Sequence, residues 1–328
     1  MVTLSEIAKT AGVSLTVASR ALSDDEAQQK RVSAEALKHV RSVARQKGYS
    51  RNRTAEFLKR GQNPVIGVFL PPYEDSLIAR LQRGLCREAN AQEFPLSFHY
   101  EMSFQCYSEF LANSRNVRRC GIITYPYFRS DVKCEKLLQD YVEKGGKIIS
   151  ISPSTVLPWV PTFLIDNHAG GKLAGEQLAS RGCENVLAYV TIPARAEGCG
   201  EAAENAGVDF TSYLTDDTTP EQFFREIATS VASGRKTGIF AGSDMRATEI
   251  YRFIQKHFPE IGIGPEGIPV VGYDNQYFSE WLNPALTTID QPFEELGRRA
   301  MRSLIDSIYQ RPADPCTLPP TLIKRQSA

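Results

Sequence analysis

The chain has 328 residues, with 38 basic and 38 acidic side chains, so its formal net charge is zero. This length exceeds what one hydrophobic core usually holds, which predicts a small domain joined to a larger body. No apolar stretch reaches the roughly 18 residues of a membrane span, and the N-terminus lacks the pattern of a signal peptide. We therefore expect a cytoplasmic protein without a membrane partner.

Seven cysteines and four histidines are spread along the chain. The cysteines form no close CxxC pair, and the histidines show no metal-ligand spacing. In a cytosolic protein such cysteines are most simply buried thiols. The sequence thus predicts neither a metal site nor a cofactor.

The neutral total conceals an uneven distribution of charge. Residues 1–63 carry twelve Lys or Arg and six Asp or Glu, a net charge of +6. The other 265 residues carry 26 basic and 32 acidic side chains, a net charge of −6. Because a phosphate backbone attracts the first segment and repels the second, nucleic acid is expected to bind at the N-terminus.

The first residues have the pattern of a helix-turn-helix. Thr3 is the predicted N-cap of a helix from Leu4 to about Ala11, with Glu6 placed to complete a capping box. Gly12 permits a tight turn, and Ser14 caps a second helix. An ordinary helical hairpin would show the same local pattern. The outward side chains at the front of the second helix, where a recognition helix meets the major groove, are Leu15, Thr16, Ser19 and Arg20.

A third helix, roughly Ala34 to Lys47, is predicted between Ser33 as its cap and Gly48 as its end. A short helical run follows between Tyr49 and Gly61. From this point the chain resembles the lactose-repressor family of bacterial transcription regulators. The matching blocks, in order, are Val2-Thr3-Leu4, Ile7-Ala8, Ala11 to Ser14, Ser19-Arg20, Val32-Ser33, Gly48-Tyr49, Asn52, Ala55 and Leu58.

The remaining chain alternates short apolar runs with helical periods, which predicts parallel sheets covered by helices on both faces. The predicted strands are Val65–Leu70, Leu96–Tyr100, Gly121–Thr124, Lys147–Ile151, Val186–Val190, Thr237–Ala241 and Pro269–Gly272. The predicted helices lie near Ala79–Gln92, Glu135–Lys144, Ala169–Ser180, Pro220–Ala232, Ala247–His257 and Phe293–Tyr309.

The family resemblance extends over this body. Its landmarks are Ile165-Asp166-Asn167, Gly170-Gly171, Ala174, Phe240 to Asp244, Val270 to Asp274 and Leu286 to Ile289. The resemblance implies an all-α helix-turn-helix head (1–50), a hinge helix and linker (51–63) and an α/β body (64–328). The body would consist of two doubly wound parallel-sheet subdomains, periplasmic-binding-protein-like, with an effector in the cleft. They would span about 64–160 plus 292–318 and about 161–291 plus 319–328.

Several head residues suit contacts with double-stranded operator DNA. Arg20, Thr16 and Leu15 can read base edges, because arginine donates two hydrogen bonds to guanine and the others can touch a thymine methyl. Hydroxyl side chains of the head can donate to phosphates, although each can equally serve as a cap. These hydroxyls belong to Thr3, Ser14, Ser19 and Ser33. The resemblance implies that Asn52, Ala55 and Leu58 form a hinge helix, with the leucine wedged into the minor groove.

In the body, the resemblance places Asp166, Arg195, Asp244 and Asp274 near the effector. Carboxylates that pair with hydroxyls, opposite an arginine, suit a sugar or phosphosugar between aromatic walls. The candidate walls are Tyr73, Tyr125 and Phe163. Two alternatives stay open: Asp166 could cap the following helix, and the segment around Arg195 is shorter and richer in glycine than in the family.

Two departures from the family pattern concern the head. Val17-Ala18 stands before Ser19-Arg20, and the loop Asp24–Arg31 is longer than in the lactose repressor. Both features look like the fructose and sucrose repressor branch, which favours control of sugar uptake or catabolism. Arg51 replaces a common proline before the hinge.

Other classes of protein fit the sequence less well than a repressor does. Gly262–Gly267 matches the dinucleotide fingerprint, but it follows a helix and precedes a strand, the reverse of the required order. A transporter's solute-binding protein would have a signal peptide and no basic head. An enzyme would need a nucleophile elbow, a P-loop or a metal set. We therefore expect a non-enzymatic homodimeric repressor of a palindromic operator, whereas its effector, target genes and direction of ligand control stay open.

Overall fold

The computed structural model describes residues 2–23, 26–49, 57, 61–72, 76–125, 132–151 and 158–328. The head contains α1 (Leu4–Thr10), α2 (Leu15–Ala21), α3 (Glu26–Gln29) and α4 (Ala34–Gln46). The body helices are α5 (Ser76–Ala91), α6 (Phe104–Asn116), α7 (Val132–Glu143), α8 (Asn167–Ser180), α9 (Pro193–Asn205), α10 (Pro220–Ala232), α11 (Asp244–His257) and α12 (Phe293–Ile308).

The head helices begin and end where the local chemistry predicts. Gly12 has φ of 64° in the turn after α1, and Gly48 has φ of 61° after α4, both in the region that disfavours other residues. The helices share one small core of eight buried residues, from Ile7 in α1 to Ala44 in α4. The loop predicted at 24–31 contains the short helix α3, which was not expected.

The first body sheet is parallel throughout. Its strands are β1 (Ile66–Leu70), β2 (Leu96–Tyr100), β3 (Ile122–Thr124), β4 (Ile148–Ile151), β5 (Thr162–Ile165) and β11 (Thr317–Leu318). They lie in the order β11-β5-β4-β3-β1-β2. Helices α5 and α12 cover one face, where they pack on a core that includes Ile123, Ile149 and Leu304.

The second body sheet has the same layout. Its strands are β6 (Asn185–Val190), β7 (Asp209–Leu214), β8 (Thr237–Phe240), β9 (Val270–Tyr273), β10 (Thr287–Asp290) and β12 (Thr321–Ile323). Their order is β12-β10-β9-β8-β6-β7. Only the pair β10–β12 is antiparallel among these strands. The expected architecture of two parallel-sheet α/β subdomains is confirmed.

One subdomain boundary in the structure differs from the predicted one. A division at about residue 160 would assign β5 to the second subdomain, yet β5 pairs with β4 in the first sheet. The first crossing between subdomains therefore follows Ile165. The second runs through Gln291 and Pro292, between β10 and α12, and the third lies between β11 and β12.

Contacts at the carboxyl ends of the strands join the two subdomains. Ser76 Oγ, at the start of α5, donates to Gln276 Oε1 of the second subdomain at 2.7 Å. Arg80 Nη1 lies 2.7 Å from Asp290 Oδ1, and both side chains are largely buried. Asn275 Nδ2 donates to the same carboxylate oxygen at 3.0 Å. The bonds of Ser76 and Arg80 hold the subdomains together beside the cleft, and Asn275 positions the Asp290 carboxylate.

No helix among the described residues has both the length and the apolar character to span a bilayer.

Candidate DNA interface and ligand cleft

Three hydroxyl side chains of the head cap helices. Thr3 Oγ1 accepts from Glu6 N at 3.3 Å, and Glu6 Oε2 accepts from Thr3 N at 2.9 Å, which completes the predicted capping box. Ser14 Oγ accepts from Val17 N at 3.2 Å, and Ser33 Oγ accepts from Ala36 N at 3.3 Å. All three side chains are exposed, so each hydroxyl hydrogen can still donate to a phosphate.

The front of α2 presents side chains to solvent. Leu15 is 54% exposed, an unusual environment for leucine, and Thr16 and Ser19 are exposed beside it. Arg20 is half-buried, while Ala18 and Ala21 on the opposite face lie in the head core. The bond from Arg41 Nε to Ala21 O at 3.2 Å fixes α2 against α4. The sequence-predicted residues thus lie together on one accessible helix face.

The hinge candidates Asn52, Ala55 and Leu58 lie outside the described residues. Within that segment, Phe57 is described, and its side chain is completely buried in the core of the first subdomain. Its ring meets Phe94 edge-on at 5.8 Å between centroids. Sequence reasoning missed this anchor, although a large aromatic residue in a predominantly charged and polar run was a signal for it.

Arg195 lies near the amino end of α9 and is 8% exposed. Its Nε donates to Asn167 Oδ1 and its Nη1 donates to Gly242 O, both at 2.8 Å. The guanidinium lies 3.6 Å from the ring centroid of Tyr273. Asn167, Gly242 and Tyr273 were landmarks of the family resemblance, but their role in orienting Arg195 was not predicted.

Two carboxylates surround the same tyrosine. Asp166 caps α8 by accepting from Ala169 N at 2.8 Å, so the capping alternative is correct for one of its oxygens. Asp274 follows β9 and accepts from Gln291 Nε2 at 2.7 Å. Burial is the main reason that the pKa of Tyr273 is raised to about 12; Arg195 opposes this rise, and Asp274 and Asp166 add to it. The structure therefore brings Asp166, Arg195 and Asp274 together.

The aromatic candidates lie in different environments. Tyr125 follows β3 and is half-buried against the core of the first subdomain, at the edge where the cleft opens. Phe163 is completely buried in that core, so its prediction as a cleft wall is wrong. Tyr73 lies outside the described residues.

Asp244 is completely buried, so the structure places it behind the cleft rather than in it. Its Oδ2 accepts from Gln276 N at 2.7 Å and from Ser279 Oγ, and its Oδ1 accepts from Thr288 Oγ1 at 2.6 Å. Burial raises its pKa to about 6, although these three hydrogen bonds lower it. In this conformation Asp244 organises the loop after β9 and does not reach a ligand.

This carboxyl makes the stability of the body depend on pH. Because its folded-state pKa is raised to about 6, its contribution is complete below about pH 4 and is lost as pH rises through 6. We expect the wild type to lose roughly 3 kcal/mol of unfolding free energy over this interval that Asp244→Asn does not lose. Urea unfolding at several pH values measures the unfolding free energy of the wild type and of Asp244→Asn. The exposed control Asp217→Asn should keep the wild-type dependence, and an equal dependence in Asp244→Asn would contradict the assignment.

Among the described residues, no group of three or more His, Cys, Asp and Glu side chains is placed to hold a metal ion. The charged groups in the described part of the site are the oriented guanidinium of Arg195 and the partly exposed carboxylates of Asp166 and Asp274.

Known proteins resemble both parts of the chain. Residues 3–52 match the family model of bacterial regulatory proteins of the lacI family, and residues 176–328 match that of a periplasmic binding protein-like domain. The HTH-type transcriptional repressor PurR of Pectobacterium atrosepticum is 28% identical over 350 residues, covering 100% of this chain and 97% of PurR. PurR of Yersinia pestis is 28% identical over 344 residues, with the same coverage.

Solved structures show the same fold. The lac repressor dimer bound to operator and the anti-inducer ONPF matches with a TM-score of 0.68 and 21% identity, covering 99% of this chain and 98% of that chain. The transcriptional regulator CelR in complex with cellobiose matches with a TM-score of 0.68 and 21% identity, covering 100% of both chains.

Proposed function

Because this chain belongs to the LacI family of DNA-binding transcriptional repressors, we propose that it binds a palindromic operator as a homodimer under the control of a sugar or phosphosugar. The observation that carries the proposal is the exposed front of α2, with Leu15, Thr16 and Ser19 beside Arg20, on the basic head of an otherwise acidic chain. Two such heads related by a two-fold axis would read two half-sites about one helical turn apart.

The family and the fold predicted from sequence are confirmed. Placement in the fructose and sucrose branch stays a prediction, and with it the control of sugar uptake or catabolism genes. The neighbour CelR is described as a complex with cellobiose, which supports a carbohydrate in the corresponding cleft of this chain. We propose Asp166, Arg195 and Asp274 as the polar contacts of the effector, with Tyr125 and Tyr73 as walls.

An exposed apolar patch supports the homodimer. Tyr277 is 65% exposed and Trp281 is 70% exposed, and their rings meet at 5.3 Å. Met245 is 62% exposed and follows Asp244, whose carboxylate accepts from the backbone amide of Gln276, the residue before Tyr277. Aromatic and methionine side chains are enriched at protein interfaces, and a second copy of this chain is the occupant that a palindromic operator requires.

The effector and the operator would be coupled reciprocally. A ligand that weakens operator binding must itself bind more weakly to the operator complex. The direct bonds between subdomains, Ser76 to Gln276 and Arg80 to Asp290, give effector binding a route to shift one subdomain against the other. The hinge residues Asn52, Ala55 and Leu58 are proposed as the element that responds.

Selection of bound duplexes from a random pool tests this function. The full-length protein is used at a stated salt concentration, with and without a mixture of sugars and phosphosugars. We expect recovery of a palindrome with a flexible central step in at least one of the two conditions. Salt-sensitive binding without a recovered sequence in both conditions would contradict a sequence-specific repressor.

A further inference from the structure

The first subdomain has a cavity of about 470 Å³ at the edge of the sheet opposite the cleft. It opens beside the amino ends of β4 and β5, between the last turns of α7 and α12. The effector residues follow the carboxyl ends of the strands. The cavity is therefore a separate site, and its volume falls within the range of small-molecule pockets.

About half of the residues that line the cavity are apolar. Trp159, which is 37% exposed, lines it together with aliphatic and proline side chains that include Val142, Ile148 and Pro312. An aromatic ring and prolines form flat surfaces that suit a flat apolar body. The remaining lining side chains can hydrogen-bond or carry charge.

The charged side chains at the cavity are both cationic. Lys147 is exposed and forms no ion pair with any described residue. Arg311 Nη1 lies 2.9 Å from Asp306 Oδ1, which holds its side chain in place. Among the described residues, those that line the cavity include no carboxylate. The cavity thus combines flat apolar walls with positive charge.

Helix dipoles do not reverse this charge. Both α7 and α12 end at the cavity, and a helix C-terminus carries partial negative charge on its unpaired carbonyls. Several of these carbonyls are capped here. Val142 O accepts from Gly145 N at 2.8 Å, and Asp306 O accepts from Arg311 N at 2.8 Å. Because Asp306 neutralises Arg311, Lys147 carries the unbalanced positive charge among the described residues at the cavity.

We propose that this cavity is a second ligand site for a small amphipathic anion, a flat apolar or aromatic body with one carboxylate, sulfonate or phosphate group. The body lies against Trp159 and the anion lies between Lys147 and Arg311. The site lies at the end of α12, whose other end follows Gln291, the residue that donates to Asp274 in the cleft. One rigid helix of about 24 Å therefore connects the two sites.

A single-tryptophan variant provides the test, because the chain has only two tryptophans. Trp281→Phe leaves Trp159 as the sole tryptophan. Anilinonaphthalene sulfonate is titrated into this protein, and the neutral phenylnaphthylamine serves as the matched probe without the anion. We expect saturable quenching of Trp159 with sensitised emission from the sulfonate, and about fivefold weaker binding of the neutral probe.

A charge reversal locates the binding. In the same background, Lys147→Glu should weaken binding of the sulfonate about fivefold. The affinity for the neutral probe should change by no more than about twofold. Lys256→Glu, an exposed lysine of α11, is the control and should change neither affinity. Equal affinity for both probes, or sulfonate binding that survives Lys147→Glu, overturns the proposal. Displacement of the sulfonate by a random DNA duplex also overturns it, because the cations would then belong to a nucleic-acid surface.

Discussion

Substitution of Gly84 by alanine is expected to destabilise the body by roughly 3 kcal/mol, although alanine is the better helix former. Gly84 lies where α5 crosses α12, and an added Cβ would overlap the carbonyl oxygen of Glu294. Gly297 on α12 approaches Leu81 O of α5 in the same way. Because the obstacle is backbone, no side-chain rotation can relieve the overlap, and the helices must separate.

Urea unfolding of the full-length protein measures this effect. The control is Ala79→Gly on the exposed face of α5, which should cost only about 1 kcal/mol through helix propensity. If Gly84→Ala instead stabilised the protein by about 1 kcal/mol, as propensity alone predicts, the close crossing of α5 and α12 would be wrong.

Substitution of Arg20 by alanine is expected to weaken binding to the selected operator by about 10- to 100-fold. The reason is the loss of a half-buried side chain in the last turn of α2 that can donate two hydrogen bonds to a guanine edge. Binding to random duplex should fall far less. The preference for one base pair in each half-site should relax at the same time.

A matched loss of charge separates base reading from general attraction. Arg45→Ala removes the same charge from the exposed end of α4. This substitution should weaken binding to the operator and to random duplex about equally, with at most a small change in the salt dependence of binding. Fluorescence anisotropy at several salt concentrations measures both variants. If Arg20→Ala also weakened binding to both duplexes equally, Arg20 would contact phosphate and not a base.

Local chemistry in the sequence determined the elements of the head and most of the body. Thr3, Ser14 and Ser33 cap helices as predicted, because a cap needs only a hydroxyl a few residues before its amide. Gly12 and Gly48 end helices for an equally local reason, their positive φ. The family also followed from sequence, since several motif blocks occur in a fixed order within sixty residues.

Helix α6 (Phe104–Asn116) and several short or atypical elements escaped sequence reasoning. Strand β5 has four residues, and no period distinguishes so short an apolar run from a loop or a buried helical turn. Helix α9 is rich in glycine, and its small residues are required because it packs against α8. An added Cβ at Gly198 would overlap the carbonyl oxygen of His168. That requirement arises from the neighbouring helix and has no local signal.

The tertiary structure alone decided which candidate side chains can meet a ligand. Asp244 and Asp274 both follow buried strands, so the sequence pattern predicts the same role in the cleft for both. Asp244 is enclosed because Ser279, after β9, and Thr288, in β10, supply donors although both are distant in sequence. Arg195 is oriented by Asn167, at the start of α8, and by Gly242, in the loop before α11. Periodicity and capping are local properties, whereas burial and hydrogen-bond partners depend on segments that only the folded chain brings together.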